Sequence, residues 1–120
     1  MSPDIQLAQH VRQSANIGAF IIGMFNGDIA LIGRSLRDEV IEPQRAALIP
    51  GFYDVQEAAM KEAGVLGCSI SGSGPSVFAL CAHSLSAENA GQAMQRAFAR
   101  HKVESETFLS SINQEGAVIC

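Results

Sequence analysis

The residues with most chemical promise form one short run, Ser71-Gly72-Ser73-Gly74-Pro75-Ser76, set between two apolar segments. Gly72 and Gly74 can take positive φ and let the main chain approach a ligand closely. Successive N–H groups in such a turn make a concavity that suits an anion. The hydroxyls of Ser71, Ser73 and Ser76 add donors, and Pro75 withdraws one N–H and stiffens the exit. The chemistry on offer is the holding of a phosphate or similar anion by main-chain amides. Two familiar phosphate motifs do not fit. The P-loop needs a Lys-Ser/Thr pair opening a helix, and the dinucleotide fingerprint needs a following helix, whereas a strand-like run follows Pro75. A nucleophile elbow is also excluded, because Ser71 and Ser73 lack the required glycine neighbours. Local chemistry leaves two readings level: an anion cradle, or a Gly-rich hairpin that only joins two core strands.

Other reactive side chains are scattered. His10, His83 and His101 lie far apart and show no ligand spacing, so no metal site is expected. Cys68, Cys81 and Cys120 are odd in number and widely spaced, which argues against a disulfide framework and for free thiols in a reducing, cytoplasmic setting. Asp38, Glu39 and Glu42 read as a solvated acidic face, and Met24, Met60 and Met94 as core. No side chain presents itself as a catalytic acid, base or nucleophile.

The elements that must position the glycine run follow from periodicity. The 120 residues suit one domain, which should bury roughly 65% of its unfolded surface. Apolar residues make up 48% and charged residues 17%, a globular composition. The net charge of −4 and the absence of a basic stripe exclude a nucleic-acid binder. No apolar run reaches the ~18 residues of a membrane span, and the first residues carry no secretory leader pattern. Ser2-Pro3-Asp4 reads as a helix start. Small and apolar residues at 8, 11, 15, 18, 19, 22 and 25 mark one face of a long helix, stopped at Asn26-Gly27. Asp28 should cap a second helix that ends before Pro43. A third is expected over 53–63, capped by Gly64. Strands are expected over 65–70 and 77–82, then a helix capped by Ser86, then strands over 107–112 and 117–120. Helices grouped with an antiparallel sheet make an α+β domain, with the helices packed on one face of the sheet.

Ser71-Gly72-Ser73-Gly74-Pro75-Ser76, followed by Phe78-Ala79-Leu80, resembles the third signature motif of the GHMP kinases. Three further segments narrow the resemblance to the homoserine kinases of that superfamily. They are His10-Val11-Arg12-Gln13-Ser14-Ala15-Asn16, the stretch Asp38-Glu39-Val40-Ile41-Glu42-Pro43-Gln44-Arg45 with Leu48-Ile49-Pro50-Gly51-Phe52, and the ending Asn113-Gln114-Glu115-Gly116-Ala117. The glycine loop is moderately specific by itself, and the Glu-Pro-x-Arg and Leu-Ile-Pro-Gly run makes the match strong.

The resemblance implies a ferredoxin-like C-terminal domain over residues 1–120, from an enzyme that moves the γ-phosphate of ATP, with Mg2+, to the hydroxyl of L-homoserine on the way to threonine. It assigns Arg45 to the substrate carboxylate, a match of guanidinium fork to carboxylate; the competing reading, the lesser of the two even without the resemblance, is a surface arginine paired with Glu42 or Asp38. Gly72 and Ser73 would border the substrate, and Ser71, Gly72, Ser73, Gly74 and Ser76 the phosphate. The family's main ATP loop belongs to an N-terminal domain, and no segment like Pro-x-x-x-Gly-Leu-Gly-Ser-Ser occurs in these residues. The chain is therefore expected to be inactive alone, to hold no cofactor tightly, and to self-associate through its first helix or the hairpin. The alternatives are an amino-acid-binding regulatory module of the same fold and a sibling kinase acting on another alcohol.

Overall fold

A computed structural model of the chain describes residues 3–72 and 74–119. Helix α1 spans Leu7–Asn26. It starts later than the Ser2-Pro3-Asp4 pattern predicts, because Gln6 and Gln9 form a reciprocal capping box that satisfies the first free amides. Gly27, at φ 66°, ends it. Its apolar stripe faces outward: Val11, Ile22 and Phe25 are exposed, and Gly23 is the buried position, in contact with Ile32.

Helix α2 (Ile29–Ser35) is capped as expected, the Asp28 carboxylate accepting from the Leu31 N–H at 3.1 Å. It stops well short of Pro43. The Ser35 hydroxyl donates back to the Leu31 carbonyl at 2.6 Å, and a separate short helix α3, Ile41–Ala46, follows. Pro43 is the third residue of α3, where a helix has no use for an N–H, so it sits inside an element that the pattern had treated as a break. Asp38 starts α3 by accepting from the Val40 and Ile41 N–H groups at 2.9 and 2.8 Å.

Helix α4 (Phe52–Met60) begins at Gly51, φ 77°, and ends three residues before the predicted limit, with Lys61 as its C-cap. Gly64, at φ 83°, does not cap α4; it leads into strand β1 (Val65–Ile70), where its carbonyl accepts from the Ala82 N–H at 2.8 Å. Strand β2 (Val77–Cys81) pairs antiparallel with β1, Ile70 opposite Val77 and Cys68 opposite Ala79. A side chain at Gly67 would strike Leu36, so glycine there lets the segment after α2 close onto β1.

Helix α5 (Ser84–Arg100) is capped by His83, whose ring accepts from the Ser86 N–H. The predicted cap, Ser86, is instead buried in the first turn with its hydroxyl 2.9 Å from His83 Nδ1. Ala90, Ala93 and Ala97 are buried along the predicted stripe, and α5 packs against α4.

The α+β class and the antiparallel sheet hold, but the described residues contain two strands, β1 and β2. Residues 107–112 and 117–119 run without a strand partner, contrary to the expected third and fourth strands; Cys120 lies outside the described residues. Alternating Thr, Phe, Leu and Ile residues encode an extended backbone, but a strand also needs a neighbouring edge, and none is paired with this one.

The core that matters for the loop is a cluster of Ala46, Ile49 and Phe52, joined by Ile70, Val77 and Phe98. Phe52 is fully buried whereas Phe25 is 91% exposed. Phe52→Ala should therefore cost about 3–5 kcal/mol, and Phe25→Ala less than about 0.5 kcal/mol. Urea unfolding followed by far-ultraviolet circular dichroism separates the two.

Candidate functional site

The glycine loop joins β1 to β2 at one end of the hairpin. Its base is closed by the Ser71 N–H donating to the Ser76 carbonyl at 2.8 Å, and by the Gly74 N–H donating to the Ser71 carbonyl at 3.2 Å. Gly72 and Gly74 have φ of 62° and 88°, the left-handed region that favours glycine, and the Gly74–Pro75 peptide is cis. Ser71, Gly72 and Ser76 are exposed. The N–H groups of Gly72 and Ser76 find no acceptor among the described residues. Ser73, also expected in the site, lies outside the described residues.

Gly74 rests on the core. A Cβ built there would stand 3.2 Å from Ile49 Cδ1. Ile49 belongs to the cluster that includes Ala46, the last residue of α3, as well as Ile70 and Val77, the residues flanking the loop. One apolar cluster thus holds the helix that carries Arg45 against the loop end of the hairpin. Arg45 occupies the last turn of α3, half-buried. Its Nε is enclosed without a hydrogen-bond partner, and among the described residues its side chain makes no ion pair.

The two carboxylates that a surface arginine would use are engaged elsewhere. Asp38 caps α3 and accepts from the Gln13 amide at 2.9 Å. Glu42 accepts from Gln56 Nε2 at 2.7 Å and from the Ser69 hydroxyl at 3.1 Å, and Gln56 Nε2 also donates to the Cys68 carbonyl at 2.7 Å. This network joins α3, α4 and β1. It corrects the reading of Glu42 as a solvated residue, and nothing in the sequence pointed to Gln56, which sits on a helix with no motif around it. Asp38 was visible only as one acid among three; its position three residues before a helix start was the available signal.

Burial pushes the Glu42 carboxyl up, an effect that the Ser69 and Gln56 hydrogen bonds oppose and the nearby Asp38 charge reinforces. Burial, with help from Glu42 and Cys81, pushes the Cys68 thiol up to about 12. Cys68 and Cys81 are both free, and the raised thiols carry too little thiolate to act as nucleophiles. No three His, Cys, Asp or Glu side chains gather as a metal site among the described residues.

Two concavities lie near these elements. A charged groove of about 470 Å³ runs between α4 and α5, with Glu57, Lys61, Arg96 and Arg100 on its walls. A cavity of about 250 Å³ lies among α1, the α2–α3 link and the hairpin, with Asn16, Asp38 and Ser69 on its polar side and Phe20, Ile70 and Phe78 on its apolar side. Neither is lined by Arg45 or by the glycine loop. The loop and α3 are brought together, but they form an open wall rather than a closed pocket.

The Glu42 carboxyl binds its proton more tightly in the folded chain. Its contribution to stability is therefore fully present below its ordinary value of 4.5 and is lost as pH rises through the raised value. Glu42→Gln removes that dependence. Relative to the parent chain, the variant should gain stability as pH rises from 4.5 to neutrality, in urea midpoints measured across that range.

Residues 18–100 match the family described as GHMP kinases C terminal. The chain is 52% identical over 118 residues to a homoserine kinase of Chlorobium phaeovibrioides, covering 97% of this chain and 37% of that protein. It is 40% identical over 117 residues to one from Xanthomonas campestris, covering 98% and 36%. A crystal structure of homoserine kinase from Cytophaga hutchinsonii superimposes with a TM-score of 0.92 at 45% identity, over 97% of this chain and 36% of that one. The chain spans little more than a third of the length of these relatives. With a family match over residues 18–100, most of its length, the chain belongs to the GHMP kinases through their C-terminal domain.

Proposed function

We propose that the 120 residues are the C-terminal domain of an enzyme that transfers the γ-phosphate of ATP to the hydroxyl of L-homoserine. The observation that carries this reading is Arg45: a half-buried guanidinium with no ion pair among the described residues, one turn from a carboxylate that bonds elsewhere. Such a group is held ready for a carboxylate from outside the fold, and a bidentate pair there fixes the amino acid's orientation. The exposed loop, with the Gly72 and Ser76 amides open, suits the edge of the transferring phosphoryl group.

Phosphoryl transfer depends mostly on positioning and on stabilising charge, so this wall contributes without a general base. ATP supplies the phosphoryl group when bound. The loop alone offers few amides for it, so we assign tight binding of ATP and Mg2+ to the part of the enzyme with no counterpart in these 120 residues. We place the protein in the cytoplasm, supported by the free thiols of Cys68 and Cys81 and by the lack of any described helix long and apolar enough to cross a membrane. The isolated chain should self-associate through the exposed α1 face, which sedimentation at rising concentration tests.

A second reading rests on the 250 Å³ cavity, whose mixed lining suits a free amino acid bound without chemistry. Calorimetry with homoserine or threonine separates the readings. Binding that survives Arg45→Ala, with no dependence on the rest of the enzyme, favours the binding module.

The 120 residues alone should release no ADP from homoserine and MgATP in a coupled assay. Joined to the preceding portion of the Chlorobium relative they should turn over, and Arg45→Ala should then lower kcat/KM about 10- to 100-fold, the range of a lost charged hydrogen bond. Turnover by the isolated chain, or full activity of Arg45→Ala, refutes the reading.

A further inference from the structure

Glu42 and Arg45 stand three residues apart on α3, a spacing that makes their side chains neighbours on the helix surface. No ion pair joins them among the described residues. The reason lies on two other elements. One oxygen of Glu42, Oε1, accepts from Gln56 Nε2 at 2.7 Å and from the Ser69 hydroxyl at 3.1 Å. Gln56 Nε2 donates its second hydrogen to the Cys68 carbonyl at 2.7 Å. Reversing that amide would set its oxygen against two acceptors, so its orientation is fixed. Its place is fixed as well, because Val55 beside it and Ala59 one turn on are fully buried. Ser69 lies on β1, paired with Phe78 of β2. Two packed elements thus hold the Glu42 carboxylate, and where they hold it Arg45 makes no pair with it. The other acids of the segment are engaged too: Asp38 caps α3 and accepts from Gln13, and Glu39 pairs with Arg12.

A carboxylate one turn away on the same helix is a built-in competitor for any carboxylate that arrives from outside. We propose that Gln56 and Ser69 are positioning residues for the substrate: by holding Glu42 they keep it from occupying the Arg45 guanidinium that receives the carboxylate of L-homoserine. They touch no substrate and act through Arg45. The competing pair is weak, weaker than the two hydrogen bonds to a charged oxygen that oppose it, so the restraint suffices. The proposal deepens the reading of Arg45 given above and rests on it.

The first test follows the Glu42 carboxyl by carbon-13 NMR titration in the 120-residue chain, with no substrate present. In the parent chain this carboxyl titrates above its ordinary 4.5. Gln56→Leu should move it below 4.5, because the released side chain pairs with Arg45, and adding Arg45→Ala should cancel that fall. If Gln56 only braces the fold, Glu42 stays buried with one hydrogen bond fewer and titrates higher than in the parent, which overturns the proposal. Ser69→Ala gives the same signs if Gln56→Leu fails to fold. The second test is kinetic, in the 120 residues joined to the preceding portion of the Chlorobium relative. Gln56→Leu should raise KM for homoserine about 5-fold, the strength of a competing ion pair, with kcat and KM for ATP unchanged. Adding Glu42→Gln should bring KM back to within about 2-fold of the parent. A general loss of packing would lower kcat, and a second substitution would not rescue it. A KM for homoserine that Gln56→Leu leaves unchanged, or that Glu42→Gln does not restore, overturns the proposal. Full activity of Arg45→Ala overturns instead the reading on which it rests, so the two failures are distinguishable.

Discussion

The contact between Ile49 and the floor of the glycine loop organises everything else that this chain brings to a site. Ile49 lies in the turn between α3 and α4, and its Cδ1 sits where a side chain at Gly74 would crowd it. Ala46 and Phe52, on the two helices that the turn connects, are buried with it, and Ile70 and Val77 close the cluster from the ends of β1 and β2. Two motifs separated by some 25 residues of sequence thereby become one surface. Burying an isoleucine and a phenylalanine contributes roughly 3–6 kcal/mol, a large part of the stability of a domain of this size. The loop's position is thus bound to the stability of the domain itself, and the loop cannot shift far without opening the core.

A second constraint acts on charge. Glu42 and Arg45 are one helical turn apart on α3, close enough to form an ion pair, yet they do not. Glu42 is drawn inward to Gln56 and Ser69, and its raised proton affinity shows that burial outweighs the two hydrogen bonds it receives. What this costly arrangement achieves is the joining of α3, α4 and β1 by one carboxylate and one amide. A surface pairing of Glu42 with Arg45 would be worth less than about 1 kcal/mol and would neutralise the guanidinium. Diverting Glu42 leaves the Arg45 Nε buried and unsatisfied, at a cost of about 1–3 kcal/mol, and leaves its charge available.

Much of this was legible in the sequence, and several of the misses share one cause. The Asp28 cap, the α5 stripe and the hairpin around the glycine run are local features, written in spacing and turn residues within one element. The loop was singled out by its glycines and serines, and Arg45 through a resemblance of motifs, which holds information that a single sequence's periodicity does not. The failures came where a partner decides. The α1 stripe has the right period, but its period cannot say that the face looks outward. Residues 107–112 have strand composition without a neighbouring strand. Pro43 read as a break because proline opposes helix interiors, yet at the third position of α3 there is no intrahelical bond for it to remove. Gln56 became visible only when three elements met around it.

These outward-facing parts are mechanically connected to the site. Gln13 of α1 donates to Asp38 and accepts from the Glu39 N–H at 2.8 Å, and Arg12 pairs with Glu39 at 2.6 Å. Asp38 is also the group that starts α3. Whatever covers the exposed face of α1 therefore bears on the N-terminal end of the helix that carries Arg45. The cluster around Ile49 anchors that helix at its other end, beneath the loop. A six-residue helix held only at one end would pivot, and with it the guanidinium. Clamped at both, α3 has a direction set partly by the core of this domain and partly by α1, so the placement of Arg45 depends on both.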